Sequence, residues 1–217
     1  FKMSKLVFNQ KLEFEYQRVT QLSKRVQRVI APNPSPFTFY GTGTYIIGED
    51  KVAIIDPGPE NEEHIQALLR AVQGRQVTHL LVTHTHLDHS PATAILQEKT
   101  GAPTYGFGPH GSGQKLTSVA GEQVEEGADL LFDPDHCLKD GDIVEGEGWT
   151  IEGVYTPGHT SNHMCFALKE DNSLFCGDHI MAWSTTIVSP PDGDMSSYMQ
   201  SLYKVQERSE SVLWPTH

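Results

Sequence analysis

The sequence predicts a mixed α/β domain, and two patterns predict it. In the first half, short apolar runs that stop at turn residues alternate with amphipathic helical stretches. In the middle, apolar runs follow one another with only tight turns between them. Sheets packed by helices satisfy both patterns in one chain, although periodicity alone does not choose the topology. The 217 residues suit one large domain or two small ones, and a hydrophobic fraction of 37% supports a core at this size.

The elements follow in order. "PNPSPFTFYGTGTYIIG" begins with turn signals and then turns β-branched and aromatic, which predicts a strand. "KVAIIDPG" is a buried strand stopped by Asp56-Pro57-Gly58. In "NEEHIQALLRAVQG", Ile65, Leu68, Leu69 and Val72 recur at helical spacing; acids come early, Gly74 closes the helix, and His64 is expected on its exposed face. "VTHLLVT" is a further strand, with His79 expected to serve packing. Ser90 and Pro91 read as the N-cap and first residue of a helix to about Lys99. "APTYGF" is a short strand, and residues 107–140, rich in Gly, Asp and Glu, are mostly loop, with His110 and His136 incidental. "DIVEGEGWTIEGVYTPGH", "HMCFALKED" and "SLFCGD" are strands joined by tight turns, one at Glu170-Asp171-Asn172. Met195, Tyr198, Met199, Leu202 and Val205 space a helix after Asp194, and "SVLWPTH" is a strand running into a loop.

Charge and cysteine content exclude several classes. The net charge of -12 gives no general grip on phosphate backbones or anionic membranes. Cys137, Cys165 and Cys176 form an odd set without a C-x-x-C, which fits a reducing compartment better than a disulfide framework. With no membrane-length apolar run and no signal-peptide core, a cytoplasmic protein is expected.

The chemistry concentrates in "LLVTHTHLDHSPA", which carries His84, His86, Asp88 and His89 just past a strand. Imidazole and carboxylate suit a borderline divalent ion such as zinc. Four groups this close cannot all serve one tetrahedral ion without strain, so two ions sharing the cluster is the better solution, and it needs ligands from elsewhere. His159, Asp178 and His217 each lie just past an apolar run, where a loop can carry them to a shared rim.

These residues resemble the metallo-β-lactamase superfamily of metallohydrolases, through "AIIDPGP" (53–59), "THTHLDH" (83–89), "TPGHT" (156–160), "GDH" (177–179) and "PTH" (215–217). The resemblance runs from about residue 26 to the end. It implies an αββα sandwich, two mixed β-sheets face to face with helices outside, as a single domain over residues 1–217. It also implies a bimetal site along one edge. His84, His86 and His159 look like ligands of the first ion; Asp88, His89 and His217 look like ligands of the second; Asp178 resembles the carboxylate between them. Asp56 resembles a residue that orients a ligand through a hydrogen bond. His163 is expected to hydrogen-bond within the site, whereas His179 should point away from it on an extended backbone. The wider context looks most like the lactamase-beta-2-like branch, whose members continue past the last histidine with a helical region that does not follow His217 here.

The expected cofactors are two divalent ions, zinc with iron or manganese as alternatives. Such a pair lowers the pKa of a water held between them, giving hydroxide at neutral pH, and Asp88 is the candidate proton shuttle. An Asp at position 178, where zinc-cysteine β-lactamases carry Cys, argues against penicillin cleavage as the main activity. The leading reading is a binuclear hydrolase of a small ester, thioester or lactone. Single-stranded RNA cleavage is the alternative, with Lys169 and Lys204 the only candidate contacts and no support from charge. A non-hydrolytic di-iron or metal-binding module is a third reading. Residues 106–115 and 181–194, Tyr40 and Trp183 are candidates for the pocket wall, with ordinary loop packing as the competing reading.

Overall fold

The computed structural model describes residues 11–114 and 127–217, so Lys115 and residues 115–126 of the expected central loop lie outside the described residues. The first sheet is seven-stranded in sequence order. It contains β1 (Thr20–Gln21), β2 (Val26–Ile30), β3 (Gly43–Ile47), β4 (Lys51–Ile55), β5 (Gln76–Leu81), β6 (Thr104–Gly106) and β7 (His136–Cys137). The pairings from β1 to β4 are antiparallel and those from β4 to β7 parallel. The second sheet contains β8 (Ile143–Gly146), β9 (Trp149–Tyr155), β10 (Met164–Leu168), β11 (Ser173–Gly177) and β12 (Val212–Pro215), in the order β12-β11-β10-β9-β8. β12 joins β11 in parallel. The helices are α1 (Glu62–Ala71), α2 (Ala92–Thr100) and α3 (Met195–Gln206).

Strand alternation builds three apolar layers. Tyr45, Ile47, Ile55 and Leu81 of the first sheet face Trp149, Ile151, Phe166 and Phe175 of the second and form the central core. Ile46, Val52, Ile54 and Leu80 point the other way and take Ile65 and Leu68 of α1 and Leu96 of α2. On the far side, Val154, Cys165 and Leu174 pack against Val205 of α3. The result is the expected αββα sandwich. No helix among the described residues is long and apolar enough to cross a membrane.

Over 32–48 the expected turn comes first, Phe39 N donating to Ser35 O, and the expected strand follows at Gly43–Ile47. Local chemistry corrects two expectations. His64 is fully buried, because Thr44 Oγ1 donates to Asp56 O and is left to accept from His64 Nε2 at 2.9 Å. Ser90 does not cap α2; its hydroxyl donates to the buried Asp129 Oδ2 at 2.6 Å, and Pro91 stands at the cap without a side-chain bond. α1 and α3 are capped by Asn61 and Asp194, whose side chains accept from backbone N–H groups one turn on.

Candidate metal centre

The ligand-type residues meet at one edge of the sandwich, because the strands that precede them end there. The chain leaves β5 through Val82 into His84-Thr85-His86. This loop is held by Leu87 N donating to Gly127 O (2.9 Å) and Asp129 N to Thr85 O (2.8 Å). His159 sits on the turn after β9, where a Cβ on Gly158 would come within 2.3 Å of Tyr198 Cα, so glycine lets α3 close on the turn. Asp178 leaves β11 through Gly177, and His217 follows β12. Gly43 N donating to Thr216 O (2.9 Å) ties this last segment to the first sheet.

The side chains form two triads with a carboxylate between. His84 Nε2, His86 Nδ1 and His159 Nε2 lie 3.1–3.2 Å from one another. A tetrahedral zinc with nitrogens at ~2.0–2.1 Å sets its ligands ~3.3 Å apart, so the triangle fits such an ion. In the second triad, Asp88 Oδ2 lies 3.2 Å from His89 Nε2 and 3.1 Å from His217 Nε2. Asp178 turns Oδ1 toward the second triad, 3.3 Å from His89 Nε2 and 3.5 Å from His217 Nε2. Its Oδ2 turns toward the first, 3.7 Å from His159 Nε2.

Outer hydrogen bonds fix which nitrogen is bare. His159 Nδ1 donates to Ile187 O (2.6 Å) and His217 Nδ1 to Gly41 O (3.3 Å), since a carbonyl can only accept. His89 Nδ1 donates to Asp56 Oδ2 (3.0 Å). In each neutral ring the lone pair of Nε2 therefore faces inward. Lone pairs so crowded repel unless a proton or a cation lies between them, and His89 Nε2 and Asp178 Oδ1 are buried at this crowded point. A cation satisfies all of these groups together. The donor set of imidazoles and carboxylates is that of a zinc or iron site.

Electrostatics divides the two triads. Burial, helped by His89 and His86, holds His84 well below the usual imidazole range. Burial and the neighbouring His159 push His86 down to about 3. For His89 burial also pulls downward, but Asp88, Asp178 and Asp56 outweigh it and raise the ring well above its ordinary value. His217 is raised in the same way, Asp178 and Asp88 overcoming burial. Asp88 and Asp178 stay low despite burial, because His89 and His217 face both.

The remaining histidines fall outside the two triads. His163 packs its ring 5.2 Å from that of His84 and bonds through Nδ1 to Thr156 Oγ1 (2.9 Å). His179 is buried beside Tyr198 and His163 and belongs to neither triad. His79 packs between Tyr105 and Trp149, His136 stacks on Tyr105, and His110 Nδ1 lies 3.0 Å from Thr85 Oγ1. Sequence reasoning missed Thr42, which donates to Asp88 Oδ2 (2.9 Å), and Asp129, which holds the loop through Ser90. Neither carries a signal in the chain: each is a common residue whose partner is about 40 positions away. Tyr40 and Trp183 line a cavity of about 110 Å³ with Phe39, Arg28 and His217, and the Phe39 and Trp183 rings stack at 4.8 Å. Lys204, a candidate RNA contact, is engaged by Asp140.

Comparison with known proteins gives the family and the fold. A sequence profile of the metallo-beta-lactamase superfamily matches residues 38–217. The chain is 34% identical over 205 residues to the atrochrysone carboxyl ACP thioesterase of Aspergillus fumigatus, which aligns 92% of this chain and 58% of that protein. It is 32% identical over 207 residues to the beta-lactamase-like protein 2 homolog of Caenorhabditis elegans, covering 92% of this chain and 63% of the other. The chain spans little more than half the length of such curated relatives, 56% in the case of the lactamase-like protein adaB of Aspergillus niger. Among solved structures, a beta-lactamase domain protein from Burkholderia ambifaria superposes with a TM-score of 0.71 at 20% identity, covering 93% of this chain and 70% of that one, a likeness of fold.

Proposed function

We propose a function from one premise: the chain belongs to the metallo-β-lactamase superfamily. It is a metal-dependent hydrolase that holds two divalent cations, zinc with iron or manganese as alternatives, and opens a small thioester, ester or lactone. The observation that carries this reading is the pair of triads with inward lone pairs and Asp178 between them. His84, His86 and His159 would hold one cation, and Asp88, His89 and His217 the other, with Asp178 shared. When bound, the cations supply charge that lowers the pKa of a water to near neutrality and polarises a substrate oxygen.

The chain's own groups do the rest. Outer hydrogen bonds keep the imidazoles turned inward, so the attacking and receiving positions are preorganised. Thr42, His89 and His217 all approach Asp88 through Oδ2, so Oδ1 is the atom that would hold a proton in passage. The stacked Phe39 and Trp183 beside His217 offer a flat apolar wall to an acyl group. Several relatives carry the name of thioesterase, which favours a thioester over a lactone.

The test is metal analysis of the purified protein combined with a panel of acyl thioesters, aryl esters, lactones, β-lactams and labelled single-stranded RNA. Thioester turnover that follows metal content and vanishes in His86→Ala supports the reading. RNA cleavage with the same dependence replaces the substrate class, and turnover indifferent to chelation defeats the metal mechanism.

A further inference from the structure

Among the buried groups around the centre, Thr83 hydrogen-bonds to His84 of the first triad and, through Asp56, is linked to His89 of the second. It is 1% exposed and lies two residues past β5, directly before His84. Its N–H donates to Asp56 Oδ1 at 2.7 Å and its hydroxyl to Asp56 Oδ2 at 2.8 Å. The same oxygen lies 3.0 Å from His84 Nδ1. A threonine hydroxyl has one proton, and the carboxylate takes it. Toward His84 the oxygen can therefore only accept, so Nδ1 carries the hydrogen and the lone pair of Nε2 points at His86 and His159.

Asp56 Oδ2 is a shared acceptor. Besides Thr83 it receives His89 Nδ1 at 3.0 Å and the Thr216 hydroxyl at 3.3 Å. The three donors stand at the start of the His-rich loop, at its end, and directly before His217. Asp56 reaches them from a left-handed backbone (φ 49°), a conformation that aspartate tolerates better than most side chains. The space around the relay is kept by an absent side chain: a Cβ on Gly177 would fall 2.8 Å from Thr83 Oγ1.

We propose that Thr83 is a positioning residue for the metal centre: it fixes the tautomer of His84 and ties the first cation site to the carboxylate that orients His89 in the second. This rests on the two-cation reading above. Replacing the hydroxyl by a methyl in Thr83→Val keeps the shape, leaves His84 Nδ1 without its acceptor, and takes one donor away from Asp56 Oδ2. A lost outer hydrogen bond to a ligand costs about 10–100-fold in metal affinity. Thr83→Ser restores the oxygen and should restore the affinity.

Two measurements decide. In the metal-free protein, imidazole nitrogen shifts should show His84 held as the Nδ1–H form in wild type and Thr83→Ser, and exchanging between tautomers in Thr83→Val. In competition with a chromophoric zinc chelator, wild type and Thr83→Ser should bind two ions alike, while Thr83→Val binds one of them 10–100-fold more weakly, its thermal unfolding remaining cooperative. Identical tautomers and identical affinities in Thr83→Val overturn the inference alone. A wild-type protein that takes up no cation overturns the reading of the site, and this inference with it.

Discussion

Asp178 Oδ1 lies 3.3 Å from His89 Nε2, and both atoms are buried. Two opposed ligand atoms at that separation have the spacing of neighbours in one coordination shell. The other oxygen of Asp178 faces His159, so one side chain addresses both triads. Asp178→Asn keeps the volume, removes the charge and replaces one acceptor by a donor. Loss of an outer partner alone costs about 10–100-fold, so loss of a shared ligand should cost kcat/KM at least about 100-fold and leave no more than one tightly held ion. Metal content after gel filtration, measured beside thioester turnover, checks it. Retention of two ions with full activity would remove Asp178 from the centre.

The two triads should respond to acid differently. Burial keeps His84 well below the usual range and His86 at about 3, so these two rings stay deprotonated throughout mild acid and have no proton to release when a cation binds. His89 and His217 are raised, so in the metal-free chain a proton occupies the place that a cation would take. Cation uptake at the second triad must expel those protons, and its affinity falls as pH drops below their raised pKa values. Zinc titration calorimetry in two buffers of different ionisation enthalpy should find proton release in one binding step and little in the other. Equal proton release in both steps contradicts the division.

Ser90 tests how far the sequence could be read. The Ser-Pro pair has the form of a helix start, and the helix is there, but the hydroxyl serves Asp129 instead. If Ser90 were the cap, Ser90→Asp would be neutral or mildly stabilising. Placed 2.6 Å from a buried carboxylate oxygen, it should instead destabilise the protein by about 1–3 kcal/mol, as measured by urea unfolding. An unchanged midpoint would restore Ser90 to the cap.

The same contrast explains what else was legible. Apolar runs marked the central strands and helical spacing marked α1 and α3, because burial of one face is written in neighbouring residues, while α2 was read from Ser90-Pro91. The candidate ligands were legible since histidines and acids at strand ends are chemically conspicuous. β2 was not, its Gln27 and Arg28 interrupting the apolar pattern, and neither were Thr42, Asp129 and the burial of His64. Those depend on pairings between distant segments that the chain itself does not announce.

His64 gives a stability prediction with a definite sign. Burial lowers its pKa from 6.5 to about 4, and its ring bonds Thr44 Oγ1, whose own proton goes to Asp56 O. Gly58 approaches so closely that a Cβ there would meet His64 Nε2 at 2.9 Å, so the neutral ring fills a space shaped by the Asp56 turn. A depressed histidine binds its proton more readily in the unfolded chain. Its contribution is present above the unfolded value of 6.5 and is lost as pH falls toward about 4. The full gap corresponds to roughly 3 kcal/mol, of which roughly 2 kcal/mol is gone by pH 5. His64→Gln can still donate to Thr44 but does not titrate. Between pH 7 and pH 5, wild type should lose roughly 2 kcal/mol more unfolding free energy than this variant in metal-free urea titrations. Parallel losses in the two proteins would mean that His64 accepts its proton in the folded state without cost, and that the ring is not held neutral beneath Asp56.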